Sequence, residues 1–430
     1  MATDLPTVPA PIKSTVFSVI FQPRYLNNYN CCFSFKKFPG IKPAIRKRKI
    51  YENDASSNFG AHLRVERIAV LGAGNAGHAA AADLTLAGYD VNLFEVPELE
   101  RNIEPILERG GIEIQGAARE GFARVKLATT NIKDAVRNVD LIMITVPSSY
   151  HAAFAEICAP YLEDGQIVVL NPGHTGGALE FAKKIGDLGI RRDVKIAETM
   201  TLTYVCRIVG PAKVKVFHVH KKLLFAAFPA KDTGEAHEAF RELYPNTIAA
   251  KNVMETGLTN TGAILHPAGM VMNAGWIERT KGDFLFYVDG ITPSVARVAE
   301  AVDSERMKIM GAFGLRAVSF PELYFEGGYT PVRASTTFEA LQSTVADRQL
   351  RAPSFLTHRY VDEYVKCGLI PMAEIGDLVG VNTPTIKALI HLSCTMNNVN
   401  YWAEGRTLER MGVPRVGISS LNDWLETGHY

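Results

Sequence analysis

The feature that most constrains this chain is the stretch LGAGNAGHAAAADLTLAGYDVNLFE, from Leu71 to Glu95. Three glycines, Gly72, Gly74 and Gly77, stand in it at fixed offsets. The run ERIAVLG before them is short and apolar, the pattern of a strand buried on both faces of a parallel sheet. The segment NAGHAAAADLTLAG after them is rich in strong helix formers and stops at Gly88, a suitable C-cap residue. YDVNLFE then reads as a second strand. A strand, a glycine turn, a helix and a strand within about 30 residues is the setting in which this spacing binds a dinucleotide. Gly72 permits the tight turn, Gly74 lets the backbone approach a pyrophosphate, and Gly77 lets helix and strand pack closely. Ala73, Asn75 and Ala76 complete the loop, and the helix N-terminus offers free N–H groups to phosphate.

Glu95 ends the second strand, about 20 residues after the glycines, where a carboxylate can accept hydrogen bonds from the adenosine ribose. It favours NAD, because a 2′-phosphate would be repelled and no arginine follows at once. NADP stays open, since the preference rests on Glu95 alone. The alternation continues: DLIMITVP (Asp140 to Pro147) reads as a strand, SSYHAAFAEICAPYL as a helix, and QIVVLNPGHTGG as a strand entering a glycine-rich turn. Ligands of open parallel sheets lie beyond the carboxyl ends of the strands, so Thr145, Pro147 and Asn171 are expected to line the cofactor crevice. TYVCRIVG and KVKVFHVH are expected to extend the same sheet. His218 and His220 share one face of the latter run. With no third ligand in sight they read as strand residues, and no metal site is expected.

Beyond about Ala250 helical periodicity takes over. The expected organisation is a basic, disordered N-terminal extension over 1–64, a Rossmann-type domain over 65–250 and a helical domain over 251–430. The extension carries Asp4 as its only acid up to Ile50 and culminates in Arg46-Lys47-Arg48-Lys49. It reads as an organelle transit peptide, a disordered tail or an upstream start. Apart from import by that segment, the expected location is cytoplasmic. A formal net charge of +1 gives no support for a nucleic-acid partner. No apolar run approaches the roughly 18 residues of a spanning helix, so no membrane partner is expected. A homodimer is left open. The six cysteines form no CxxC pair, which fits reduced thiols.

His266 stands in an apolar helical run directly before Pro267. Proline inside a helix removes one hydrogen bond and clashes with the carbonyl four residues back, so a kink is expected there. The near-neutral intrinsic pKa of histidine suits proton exchange beside a hydride transfer.

Several collinear blocks resemble the octopine/nopaline (opine) dehydrogenases: RIAVLGAGNAGHAAAADLTLAG, NPGHTGGALEF, AET followed by TYVCRIVGPAKV, NTGAILHPAGMVMNAGWIE, DFLFYVDGITPSVARVAEAVDSERMKI, HRYVDEYVKCGLIPMAEIGDLVGVNTPTIKALIHL and YWAEGRTLERMG. They span Arg67 to Val413. The resemblance implies a doubly wound parallel α/β domain followed by an all-α domain like the C-terminal domain of 6-phosphogluconate dehydrogenase. It implies NAD(P)H-dependent reductive condensation of an α-keto acid, such as pyruvate, with the amino group of an amino acid. It also implies that His266 is the acid/base and that Arg359 holds a substrate carboxylate. The family usually has an aspartate five residues after that arginine, where it orients the histidine. This sequence has Tyr364 there, with Asp362 and Glu363 as neighbours. Three readings follow: a shifted carboxylate supports His266, Tyr364 hydrogen-bonds it, or the chain binds cofactor without efficient turnover. Lys366 and Cys367 also depart from many relatives, so substrate-side contacts are open to change. A reductase of a simple keto or hydroxy acid and a weakly catalytic NAD-binding sensor are the alternatives.

Overall fold

The computed structural model describes residues 64–429. Residues 1–63, with the readings placed on the basic segment, lie outside the described residues.

Among the described residues twelve strands precede the helical half: β1 (Arg67–Leu71), β2 (Asp90–Phe94), β3 (Ile112–Gly116), β4 (Gly121–Ala123), β5 (Leu127–Thr129), β6 (Leu141–Ile144), β7 (Ile167–Leu170), β8 (Lys195–Thr199), β9 (Tyr204–Gly210), β10 (Lys213–Val219), β11 (Leu223–Phe228) and β12 (Thr247–Ala249). Eight of them form one sheet in the order β12-β11-β8-β7-β6-β1-β2-β5. All residues of β6 and β7 are buried, as are all of β1 except Arg67. Their continuous apolar runs are what a parallel strand covered on both faces requires. The order reverses at β1, which pairs in parallel with β2 on one side and β6 on the other. Leu71 therefore lies level with both Phe94 and Ile144, and the loops leaving these strands open onto one crevice at the switch point. This is the doubly wound arrangement that the sequence predicts, with β11 antiparallel to β8 near one edge.

TYVCRIVG and KVKVFHVH correct one expectation. They do not extend the main sheet but form β9 and β10 of a second, four-stranded sheet, ordered β4-β3-β10-β9. Their burial alternates in the first residues, with Val214 and Val216 inward and Lys215 outward. That is the mark of a half-buried sheet, and the inward face joins the core shared with Ala79 and Leu84 of the glycine-loop helix. β-Branched composition announces a strand but not its partner.

After β12 the regular elements among the described residues are helices, apart from one isolated bridge between Leu285 and Arg351. The helix Thr261–Met272 carries Pro267 inside it and is continuous. Its N-terminus is fixed by Asn260, whose side chain accepts from the Ala263 N–H and donates to the Met200 carbonyl. The helix Arg359–Tyr364 passes into a π-helical turn, Val365–Leu369, and resumes as Ile370–Leu378. Such turns widen a helix by one residue and are frequent at functional sites. No helix of the described residues is long and apolar enough to cross a membrane, and no group of three or more His, Cys, Asp or Glu among them could hold a metal ion.

Candidate active site

The glycine loop follows β1 as its spacing demands. Gly72 has φ +99°, a region that disfavours side chains. A Cβ on Gly77 would fall on the Gly72 carbonyl, so the helix could not sit this close to the strand. A Cβ on Gly74 would meet nothing within 4 Å. That free space, above a helix N-terminus without a side-chain cap, is what a pyrophosphate needs. The residues present thus fit a dinucleotide. Asn75 plays a different part. Its Oδ1 accepts from the Ile208 N–H at 2.7 Å and moors the helix to β9. Ala76 is buried beneath the loop.

Glu95 is buried at the end of β2. Its Oε2 accepts from the Ala73 N–H at 3.0 Å and from Asn102 Nδ2 at 2.9 Å, and Oε1 accepts from the Val96 N–H at 3.0 Å. Burial raises its proton affinity, against which these donors act. The carboxylate braces the loop, and Oε1 keeps a lone pair for a further donor.

The crevice loops are built largely from side chains spent within the chain. Thr145 Oγ1 lies 3.1 Å from the Leu71 carbonyl and 3.0 Å from the Gly72 carbonyl, donating to the turn. Pro147 is half-buried and opens the short turn Ser148–Tyr150. Asn171 stands at the end of β7 as expected, yet its amide is turned inward. Nδ2 donates to Thr203 Oγ1 at 2.8 Å, and Oδ1 accepts from the Thr203 N–H at 3.1 Å. A side chain 1% exposed and so fully bonded positions the loop and does not line the crevice.

Arg406 seals this region. It is among the largest fully buried side chains. Nε donates to Glu180 at 2.7 Å, Nη1 to the carbonyls of Gly173 and Thr175 at 3.1 Å, and Nη2 to the Ser148 carbonyl at 2.9 Å. The Arg406 N–H is itself held by the Lys366 carbonyl in the π-helical turn.

The catalytic residues implied by the resemblance come together. Arg359 pairs with Glu363 one turn on, through Nε at 2.7 Å and Nη2 at 2.6 Å. About half of the arginine side chain stays exposed, whereas the Glu363 side chain is buried. Glu363 Oε1 accepts from the Ser148 N–H at 2.9 Å and faces His174 Nε2 at 3.6 Å. Burial alone would raise the Glu363 pKa, but Arg359, His174 and the Ser148 N–H outweigh it and hold it low. His266 lies against Tyr360, rings parallel within 5° and centroids 3.8 Å apart. Its Nε2 is 2.8 Å from the Tyr287 hydroxyl, which is 3.2 Å from the Tyr360 hydroxyl. Its Nδ1 is buried without a partner. Burial, then the charge of Arg359 and the neighbouring histidines and Arg207, push its pKa well below the ordinary 6.5.

Tyr364 meets His266 edge-on, centroids 4.6 Å apart at 70°, and makes no hydrogen bond to it. Its ring fills the space that Gly262 leaves open. Nor does a shifted carboxylate reach the histidine among the described residues. Glu363 is engaged by Arg359, and Asp362 pairs at 2.8 Å with Lys366, which also pairs with Glu404. Cys367 is buried, its thiol pushed up to about 12 by burial, and its carbonyl accepts from the Thr175 N–H. His218 and His220 pack on Tyr329.

Sequence reasoning missed Tyr287, Tyr360, His174 and Arg406 as members of the site. Tyr360 is adjacent to Arg359, which was a usable signal. Tyr287 and Arg406 lie 21 and 226 positions from the partners they serve, His266 and Glu180. No local pattern encodes such contacts.

The fold agrees with known proteins. Residues 249–397 match the family model described as NAD/NADP octopine/nopaline dehydrogenase, alpha-helical domain, and residues 68–186 match that of ketopantoate reductase PanE/ApbA. The opine dehydrogenase of Arthrobacter sp. (strain 1C) is 39% identical over 359 residues, covering 83% of this chain and 98% of that one. The protein ocs of Agrobacterium tumefaciens (strain Ach5) is 26% identical over 362 residues, covering 83% and 95%. A solved octopine dehydrogenase with NADH and L-arginine superposes with a TM-score of 0.66 at 21% identity, over 85% of this chain and 98% of that one. The chain therefore belongs to the opine dehydrogenases, NAD(P)-dependent oxidoreductases that reductively condense a keto acid with the amino group of an amino acid.

Proposed function

We propose that this chain performs that condensation with Arg359 holding the keto-acid carboxylate and His266 exchanging the reaction proton. One observation carries the reading. A half-exposed guanidinium, held on one side by Glu363, and a buried histidine are presented by two packed helices. Guanidinium and carboxylate pair through two parallel hydrogen bonds, so Arg359 orients its ligand as well as attracting it. Gly72–Gly77 would hold the pyrophosphate and Glu95 the adenosine ribose. The bound nicotinamide supplies the hydride. The remaining duties belong to the chain: to fix the substrates, exclude water that would hydrolyse the imine, and hold a proton at His266.

The amino substrate is proposed to be an α-amino acid and the keto acid to be small, such as pyruvate. The test follows nicotinamide absorbance of the full chain with NADH and pyruvate, alone and with a panel of amino acids. Oxidation that needs both partners is the expected result. Oxidation with pyruvate alone would make the protein a keto-acid reductase. Cofactor binding without turnover would favour an attenuated protein, a reading motivated by the lack of a carboxylate at His266.

A further inference from the structure

The resemblance assigns the orientation of the catalytic histidine to a carboxylate at position 364, which this chain does not have. The ring of His266 is nonetheless fixed on three sides. Tyr360 stacks on one face at 3.8 Å, Tyr364 closes one edge at 4.6 Å, and the Tyr287 hydroxyl meets Nε2 at 2.8 Å. Only the last is a hydrogen bond, and it continues to Tyr360 at 3.2 Å. We propose that Tyr287, braced by Tyr360, is the positioning residue for His266 in this chain, in the role that a carboxylate fills in relatives. The inference rests on the assignment of His266 as the acid/base.

The arrangement sets the tautomer. Nδ1 is buried without a partner. A buried N–H left unbonded is rarer in folded proteins than a buried acceptor left unbonded. The ring proton therefore sits on Nε2 and is donated to Tyr287, whose own proton is donated to Tyr360. Tyr287 is itself buried. A phenol differs from a carboxylate in what it holds. A carboxylate stabilises the charged imidazolium, whereas a neutral hydroxyl accepts the Nε2 proton of either form and brings no charge to hold the imidazolium. Burial pushes the Tyr287 pKa far above its usual range, so the hydroxyl remains neutral. This chain thus keeps the ring geometry of a dyad without its charge.

The test is Tyr287→Phe, which keeps the ring and removes the hydroxyl. Loss of one buried hydrogen bond to the base is expected to lower kcat roughly ten- to a hundredfold. NADH affinity is expected to stay unchanged. Tyr360→Phe removes the outer hydroxyl and is expected to act in the same direction by a smaller factor. The second readout is the pair of nitrogen chemical shifts of His266 in cofactor-free protein. The wild type should show the Nε2–H tautomer, and Tyr287→Phe should lose that fixed preference. A Tyr287→Phe protein with the wild-type kcat and nitrogen shifts would overturn the proposal. If the wild type itself condenses no substrates, the functional assignment fails, and the nitrogen shifts still decide whether Tyr287 positions the ring.

Discussion

At the scale of single residues the site is a set of charges arranged around one neutral ring. Arg359 is expected to act on the keto acid. Replacing it with Gln removes a charge-assisted bidentate pair worth about 2 kcal/mol, so KM for the keto acid should rise roughly thirtyfold. Steady-state kinetics should show KM for NADH little changed. His266 predicts a pH profile. Burial first, then Arg359, pull its pKa below 6.5, so the free protein holds a neutral ring at pH 7. Opine oxidation needs that neutral base, so its kcat/KM should stay level through pH 6.5 and fall only well below it, as pH passes through the lowered pKa. Reductive condensation needs the protonated form and should run the opposite way. Tyr364→Asp restores an anion beside the ring and should shift both limbs to higher pH. Of these residues, His266 and Arg359 are legible in the sequence because they sit in recognisable blocks. Tyr287 lies within such a block too, yet nothing at that position points to a residue 21 places away. The departure at Tyr364 is visible in the sequence, but its consequence depends on what else stands near the ring.

At the scale of elements the glycine loop separates two kinds of glycine. Gly77→Ala would drive a methyl group into the Gly72 carbonyl, so thermal melting should show a marked loss of stability. Gly74→Ala meets open space and should leave the melting temperature within a degree or two, by the small effect typical of uncrowded sites. Its methyl group would occupy the approach of the pyrophosphate, so fluorescence titration should show weaker NADH binding. Equal loss of stability in both variants would contradict this division. β1, β6 and β7 are legible because burial on both faces leaves an unbroken apolar run, and β2 because its apolar and polar residues begin by alternating. β9 and β10 are legible as strands but not as members of the smaller sheet, since pairing is decided by distant partners. The π-helical turn Val365–Leu369 has no sequence signal, because a one-residue widening leaves the apolar pattern almost unchanged.

At the scale of the whole molecule, burial of neutral histidines makes stability depend on acid. Burial, as the largest cause, lowers His174 to about 4 and His220 to about 3 from 6.5. Both groups bind fewer protons folded than unfolded between those values and 6.5. Their contribution is fully present above pH 6.5 and is lost as pH falls through the folded values. Glu198 works against this: burial raises it to about 7, so its penalty grows as pH rises from 4.5 to 7. Burial also lowers His358 to about 3 and raises Asp347 to about 6, so three histidines stand against two carboxyls, and denaturant titrations should find the chain weaker at pH 5 than at pH 7. His220→Gln should flatten that dependence.

The seal made by Arg406 bears on the order in which this protein comes into being. Synthesis proceeds from the N-terminus, and domains generally fold as they emerge. The glycine loop and every strand of the sheet leave the ribosome long before residue 406. Yet the Ser148, Gly173 and Thr175 carbonyls that shape the crevice wait for a guanidinium near the far end of the chain. A nascent polypeptide can own the nucleotide fold without owning a finished nucleotide pocket. A chain cut short before residue 406 would leave those three carbonyls without their buried donor, and a nucleotide titration of such a chain would read that deficit.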